Sequence, residues 1–263
     1  MSNGLDNFAD AIGDAIKIVP ELYDDALKPA AQTSGKILNL IPQTIYTVLL
    51  PIRKWVAVRE NNMEIMEKLL AQKLEHTDPQ NIVTPEAYVA VPAIQALSYS
   101  MDSDELRNLY ANLLAKSMMV QTKDKVHPAF VDIIKQLSPL DAKVFKIIME
   151  REINPIIDLI YVNKNNGQNN VIETNVTDID IAPTELIQVS IDNLIKQNLI
   201  SIPIDKRYAD DNHYNKITSS QHYIFVKKQF PPANDGRVFS YNKHVIEATN
   251  LGRSFYGICV RGI

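Results

Sequence analysis

The spacing of apolar residues changes character near residue 138, and this change constrains the fold more than any other feature. Before it, apolar side chains recur every three or four residues, as they do at Met63, Met66, Leu70 and Leu74. Such spacing predicts amphipathic helices. After it, helical patterns alternate with runs rich in β-branched and aromatic residues. The sequence therefore predicts a mainly α protein, with an all-helical domain over residues 1–135 and a winged-helix-like α+β domain over residues 136–263.

The composition agrees with two compact domains. The chain has 263 residues, of which 46% are hydrophobic and 22% are charged, so each domain is large enough to bury a core. The single cysteine, Cys259, excludes a disulfide framework and fits a reducing compartment. The first ten residues are acidic, whereas a secretory signal is basic and then apolar. We therefore expect a cytoplasmic protein.

The second half contains enough local signals to predict an order of elements. Ser138 and Pro139 predict the cap and first residue of a helix, and the apolar runs 155–162 and 171–179 predict a β-hairpin. A further helix begins at Pro183, and we expect it to bury Leu186, Val189, Leu194 and Ile195 or their neighbours. The segments 222–230 and 237–249 are strand-like, and the turn-forming PPANDG separates them. This order resembles a winged helix, with the last two strands as the wing.

A winged helix raises the question of nucleic-acid binding. The helix that would enter a major groove, Pro183–Ile200, carries only Glu185, Asp192 and Lys196 as charged residues, and it has no arginine. Residues 196–263 nevertheless hold ten basic and five acidic side chains. Most of the surplus falls near the predicted wing, at Lys206, Arg207, Lys216, Lys227, Lys228, Arg237 and Lys243. Phosphate contact through this basic wing is an alternative that we keep, although a protein-binding or solvated face is favoured.

An apolar segment over residues 37–56 raises the question of membrane contact. Pro42 and Pro51 interrupt it and Arg53-Lys54 follows, so it is shorter than the roughly 20 apolar residues of a spanning helix. A buried central helix is the favoured interpretation. Conditional insertion into a membrane is the alternative, and the residues that it would use are Ile45, Tyr46, Val48, Leu49, Leu50 and Trp55.

Catalytic and metal-binding signatures are absent from the sequence. Neither a phosphate-binding glycine loop nor an HExxH pair occurs, and Ser254 misses the spacing of a nucleophile elbow by one residue. His213, His222 and His244 lie within one segment, but no carboxylate or cysteine stands at ligand spacing beside them. We therefore predict no catalytic residue, no cofactor and no metal.

Three stretches of the chain are similar to a known prokaryotic family. They are VPELYDDALKPAAQTSGKIL, IVTPEAYVAVPAIQALSYSMDSDELRNLYANLLAKSM and HPAFVDIIKQLSPLDAKVF. Together they resemble the Abi-alpha family, and the resemblance extends over nearly the whole chain. It implies a role in abortive infection, in which an infected cell stops supporting phage growth, and it brings no catalytic residues with it.

These observations lead to one main hypothesis and one alternative. The main hypothesis is a non-enzymatic defence protein that binds a phage or host protein, with conditional membrane perturbation through residues 37–56 as one version of its effect. The alternative is a nucleic-acid-binding regulator that uses the basic wing.

Overall fold

The computed structural model describes residues 45–46, 60–97 and 103–262, and it contains both helices and antiparallel strands. Contacts between residues divide the chain into two compact units. The first unit consists of Met1–Gln136 together with Gly257–Ile263, and the second unit consists of Leu137–Tyr256. The chain is therefore a mixed α and β protein. A domain is a part of a chain that can fold alone, whereas these units are defined by contacts. The domain boundary after residue 135 therefore remains a prediction.

The regular elements described in the first unit are mostly helical. Its helices are α1 (Glu60–Lys73), α2 (Ala87–Leu97), α3 (Asp104–Ser117) and α4 (Ala129–Lys135), with short 3₁₀ turns at Pro79–Asn81 and Lys123–Lys125. One isolated β-bridge joins Ile82 to Met119. Because most residues before Glu60 lie outside the described ranges, an all-helical N-terminal domain also remains a prediction.

Helical spacing explains the core of this unit. Met66, Leu70 and Leu74 recur every four residues and are fully buried. In α2, Ala90 and Ala93 are fully buried, and their small side chains allow α2 to pack closely against α3.

The end of the chain belongs to the same core. A turn of π-helix covers Tyr256–Val260, and Ile258 and Cys259 within it are buried. The buried Asn112 of α3 donates from Nδ2 to the carbonyl oxygen of Cys259 at 2.8 Å. The last residues thus complete a unit that starts far earlier in the sequence.

The second unit begins with a helix whose start is specified locally. Helix α5 spans Pro139–Glu150, and Ser138 and Asp141 form a reciprocal capping box at its first turn. Asp141 also accepts a hydrogen bond at 2.9 Å from Asn193 of the next helix, α6 (Thr184–Lys196). The predicted cap at Ser138 is confirmed, and the cap also holds two helices together.

Three antiparallel strands form the sheet of the second unit. Strand β1 (Pro155–Asn163) lies between β2 (Asn169–Thr177) and β4 (Arg237–Val245), and the short strands β3 (Ile200–Ser201) and β5 (Glu247–Ala248) pair separately. The remaining elements are a 3₁₀ turn at Asp211–Tyr214 and the helices α7 (Asn215–Thr218), α8 (Gln221–Gln229) and α9 (Asn250–Phe255). The predicted hairpin of β1 and β2 is confirmed.

A bulge interrupts the pairing of β1 with β2. Residues 174 and 175 together face the single residue Asp158. Asn175 adopts a left-handed conformation with φ of 61°, and its backbone N–H donates to Asp158 Oδ1 at 3.1 Å. Its side chain donates to Asp192 of α6 at 2.7 Å. The bulge therefore joins the edge of the sheet to α6.

One face of the sheet packs on the short helices α7 and α8. Ile157 and Leu159 of β1 form a buried cluster with Ile217 of α7 and with Tyr223 and Val226 of α8. The prediction of a strand over residues 222–230 was therefore wrong, because nearly all of these residues belong to α8. A helix places Tyr223 and Val226 on one side, so both can reach the sheet.

The buried face of α6 agrees with the prediction at Leu194 and differs from it at the other three named residues. Ile187, Ile191 and Leu194 are buried, whereas Leu186 and Val189 are 51% and 64% exposed. Ile195 is also exposed, at 37%. The helix carries apolar residues on more than one face, and neighbouring elements select the face that is buried.

Candidate functional site

The predicted basic wing is not a two-stranded structure. Lys206 and Arg207 lie in the loop after β3, Lys216 lies in α7, Lys227 and Lys228 lie in the last turn of α8, and Arg237 and Lys243 lie in β4. Strand β4 pairs with β1, and the segment expected to be its wing partner is helical. The prediction of a wing was therefore wrong, because the packing of α8 on the sheet overrides the local preference for strand.

Carboxylates neutralise three of the seven basic residues. Lys206 contacts both carboxylate oxygens of Glu247 at 3.0 Å, and Lys243 lies 2.6 Å from an oxygen of Asp211. Arg237 pairs with Asp235 at 2.7 Å. Within the described ranges, the other four basic residues form no ion pair. The positive surplus available to a partner is therefore smaller than the composition indicates.

Helix α8 has an inner and an outer face of different character. Tyr223 and Val226 are buried on the inner face. The opposite side carries four exposed residues that lie within 100° of one another around the helix axis, given the helical period. We call them the outer face of α8, and they are Gln221, Ile224, Phe225 and Lys228. Phe225 is 61% exposed and Ile224 is 44% exposed, so two large apolar groups lie side by side in solvent.

Several contacts hold α8 in place. The hydroxyl of Ser220 accepts a hydrogen bond from the backbone N–H of Tyr223 at 3.1 Å and caps the helix. His222 Nε2 lies 2.6 Å from Glu173 Oε2, and Gln188 of α6 donates to the same oxygen at 3.4 Å. The Glu173 carboxylate of β2 thus connects α6 with α8.

Aromatic contacts support the inner face of α8. The ring of Tyr223 packs edge-on against Phe239 and Tyr241 of β4, with centroids 5.3 and 5.9 Å apart. Burial raises the pKa of Tyr223 above the ordinary value for tyrosine. The outer face is consequently presented on a well-anchored helix.

A second polar pair was not predicted from the sequence. His244 Nε2 lies 3.4 Å from Asp158 Oδ2, and the two residues belong to adjacent strands. Glu247, the carboxylate nearest to His244 in the sequence, instead binds Lys206. Only the register of β1 and β4 brings Asp158 and His244 together, so no local signal could have found this pair.

The other two histidines of that segment, His213 and His222, each contact a different partner. His213 packs against the ring of Tyr208, and His222 belongs to the contact with Glu173. Within the parts of the chain that the structure describes, no group of three or more His, Cys, Asp or Glu side chains has an arrangement that could hold a metal ion.

The apolar segment is described only in part. Ile45 and Tyr46 have helical backbone; Ile45 is buried, and Tyr46 is 47% exposed. The other four candidates, Val48, Leu49, Leu50 and Trp55, lie outside the described residues. No helix within the described ranges is long and apolar enough to cross a membrane.

Helix α6, the candidate groove-reading helix, has several of its polar side chains bonded to other parts of the protein. Asp192 accepts from Asn175, and Gln188 donates to the carbonyl oxygen of Thr174 at 2.8 Å. Its exposed residues include Leu186 and Val189, which provide no hydrogen bonds to base edges. The structure therefore offers no reason to assign base readout to this helix.

Comparison with protein-family models gives a match. The family model described as abortive infection alpha matches residues 58–259, which is most of the chain and includes every described element from α1 to α9. Neither the curated proteins nor the solved structures contain a match. On the extent of the family match, this chain belongs to the abortive infection alpha family.

Proposed function

We propose that this protein takes part in abortive infection, without catalysis, by binding another protein through the outer face of α8. The observation that carries the proposal is the exposure of Phe225 and Ile224 on an anchored helix beside Lys228. Aromatic side chains dominate the energetics of many protein interfaces, and they act best from rigid positions. The cytoplasmic location predicted from the sequence is part of the proposal.

The charges near this face favour an acidic partner. Within the described residues, neither Lys227 nor Lys228 forms an ion pair. Opposite charge at the rim of an interface speeds association and selects among partners. We therefore expect a phage or host protein that presents an apolar pocket bordered by Asp or Glu.

The decisive experiment combines a single substitution with phage infection. Phe225→Asp places a charge where the partner should contact an aromatic ring, so we expect protection against phage to be lost and partner affinity to fall about 30-fold or more. The measurements are plaque formation on cells that carry the variant and capture of the partner from infected cells by tagged protein.

The matched control is Val189→Asp. Val189 is as exposed as Phe225 but lies on α6, so this variant should protect like the wild type. Both variants should keep the wild-type melting temperature, since neither side chain is buried. A folded Phe225→Asp variant that still protects would contradict the proposal.

The nucleic-acid alternative predicts different behaviour. It depends on Arg207, Lys216, Lys227 and Lys228, for which the described part of the chain provides no ion pair, and it requires binding that weakens steeply with salt. Lys227→Gln with Lys228→Gln would then weaken binding to all sequences about equally. Retarded migration of DNA or RNA at low salt would support this alternative, and unchanged migration would remove it.

Membrane perturbation is a further version of the proposed effect. It requires Ile45 to leave a position that is 1% exposed, so a trigger would have to release it. Leakage of dye from liposomes on addition of infected-cell extract would support this version. If folded protein causes no leakage with any extract, binding alone accounts for the effect.

A further inference from the structure

The second unit contains an open cleft of about 770 Å³ that lies apart from the outer face of α8. The end of α5, the loop over residues 151–154, the loop over residues 205–208, the strands from Val245 to Ala248, and α9 surround it. We call it the Arg207 cleft. Its volume is in the range of sites that hold small molecules.

The charged residues of this cleft are only partly paired. Arg151 contacts Asp178 at 2.8 Å, and Lys206 contacts Glu247 at 3.0 Å. Arg207 and Arg253 also line the cleft, and neither side chain has a hydrogen bond or an ion pair with any residue in the described ranges. Two guanidinium groups therefore keep all their donors for a ligand, and their planar geometry matches phosphate and carboxylate.

One residue that lines the cleft has a buried, unsatisfied acceptor. Asn154 lines it and is only 8% exposed. The Nδ2 group of Asn154 donates to the carbonyl oxygen of Ile148 at 2.9 Å, but its Oδ1 has no hydrogen-bond partner among the described residues. A buried amide oxygen without a partner is costly, and an N–H or O–H group of a ligand would remove that cost.

The walls of the cleft are firmly positioned. The backbone N–H of Asn154 donates to the hydroxyl of Tyr208, and the backbone N–H of Tyr208 donates to the hydroxyl of Tyr214, at 2.9 and 3.0 Å. The hydroxyl of Tyr214 in turn donates to the carbonyl oxygen of His244 on β4 at 3.0 Å. This chain of hydrogen bonds ties the loop that carries Arg207 to the sheet.

Different contacts position α9, the helix that carries Arg253. It follows Gly252, whose lack of a side chain lets α9 approach the backbone of Leu199. Thr249 caps α9 by accepting from the N–H of Gly252 at 2.9 Å. Arg207 and Arg253 are thus presented from two anchored segments.

We propose that the Arg207 cleft binds a small organic oxyanion, a phosphate or a carboxylate, that also carries N–H or O–H donors. Arg207 and Arg253 bind the oxyanion. Asn154 Oδ1 and the carboxylates of Glu152 and Asp205, which also line the cleft, accept from the donors. The two carboxylates would repel a bare anion, so inorganic phosphate should bind more weakly than an anion that carries donors.

Calorimetric titration of the full chain tests this proposal. One set of probes is the four common nucleoside 5′-monophosphates with the corresponding nucleosides. A second set is dipeptides with free or amidated C-termini, and inorganic phosphate completes the panel. We expect the probes of one set that carry the oxyanion to bind saturably. The matching nucleoside or amidated dipeptide, which lacks the oxyanion, should bind at least tenfold more weakly. The set that binds identifies the source of the oxyanion.

Substitutions test whether the probe binds in the Arg207 cleft. Arg207→Gln and Arg253→Gln should each weaken binding at least tenfold, whereas Arg237→Gln, on β4 outside the cleft, should leave it unchanged. Circular dichroism and melting establish that the variants are folded. The proposal is overturned if no probe binds to the wild type, or if both cleft variants bind as the wild type does. It does not depend on the outcome for Phe225.

Discussion

Position 252 has no room for a side chain. A Cβ atom there would overlap the carbonyl oxygen of Leu199 and lie 2.9 Å from its carbonyl carbon. Both neighbours are backbone atoms, so they cannot rotate away as a flexible side chain would.

Gly252→Ala should therefore lower the free energy of unfolding by about 2 kcal/mol, within the range for overpacked interiors. Urea denaturation measures the change. Gly257→Ala is the control, since nothing lies within 4 Å of its Cβ position and its free energy of unfolding should be nearly unchanged. Equal stability of the two variants would show that α9 shifts without cost.

The one cysteine of the sequence is buried. Cys259 is fully buried, and desolvation raises the pKa of its thiol well above the ordinary value. Because the folded state holds this proton more tightly than the unfolded state, stability should decrease as the pH rises above the ordinary thiol pKa.

We expect Cys259 in native protein to resist a thiol-specific disulfide reagent at pH 8. The same thiol should react within minutes after denaturation in guanidinium, which serves as the control. Rapid labelling of native protein would mean that the C-terminal turn opens readily.

At the scale of elements, the sequence predicted correctly the features that depend only on neighbouring residues. Ser138 and Pro139 predict the start of α5, and the turn-forming segment between two β-rich runs predicts the hairpin. Each signal lies within about twenty residues and needs no knowledge of the rest of the fold.

Helices α6 and α8 show where such signals fail. Helix α6 has Leu186 and Val189 on one side and Ile187 and Ile191 on another, so periodicity predicts a helix without choosing its buried face. Helix α8 contains consecutive β-branched and aromatic residues, yet the sheet provides a surface for Tyr223 and Val226 only if they lie on one side. The outer face of α8 was missed for this reason.

The bulge at Asn175 sets the end of the hairpin. A left-handed φ costs a β-branched residue more than it costs Asn. Asn175→Val should lower the free energy of unfolding by about 2 kcal/mol, since it also removes the hydrogen bond to Asp192. Asn175→Gly should cost less than half as much, because glycine keeps the conformation.

The control for Asn175→Val is Asn170→Val. Asn170 is exposed in β2 and is not among the residues with positive φ, so valine should be neutral or slightly favourable there. Chemical denaturation compares the three variants. If Asn175→Val and Asn170→Val are equally stable, the left-handed conformation is not what holds the hairpin end.

For the whole molecule, net charge was a poor guide to partners. Residues 196–263 have a surplus of basic side chains, but Lys206, Arg237 and Lys243 pair with Glu247, Asp235 and Asp211. Glu247 and Asp211 are far from their basic partners in the sequence and meet them only in the folded chain, so composition could not have shown these two pairings. Instead, Arg207 and Arg253 lie in one cleft without an ion pair to any residue that the structure describes.

The first unit should depend on the end of the chain. A protein that stops at Tyr256 lacks the buried side chains of Ile258 and Cys259 and leaves Asn112 Nδ2 without its acceptor. We expect this truncation to lower the stability of the first unit by about 3 kcal/mol or more. Hydrogen exchange of peptides from α3 should become at least a hundredfold faster, which that free energy implies.

A chain that stops at Arg261 is the control, since it keeps the π-helical turn and should exchange like the full chain. Peptides from β1 provide an internal reference in both proteins. Unchanged protection of α3 in the shorter chain would contradict a structural role for residues 257–260.

The position of this last segment also matters for synthesis on the ribosome. Roughly 120 residues of the second unit are made between Gln136 and Gly257, and at 5–20 residues per second this takes about 6 to 24 s. Throughout that interval the surface of α3 around Asn112 has no partner from the C-terminal turn. A ribosome that stalls within the second unit therefore holds a nascent chain whose first unit is open, and a chaperone or protease can recognise it there.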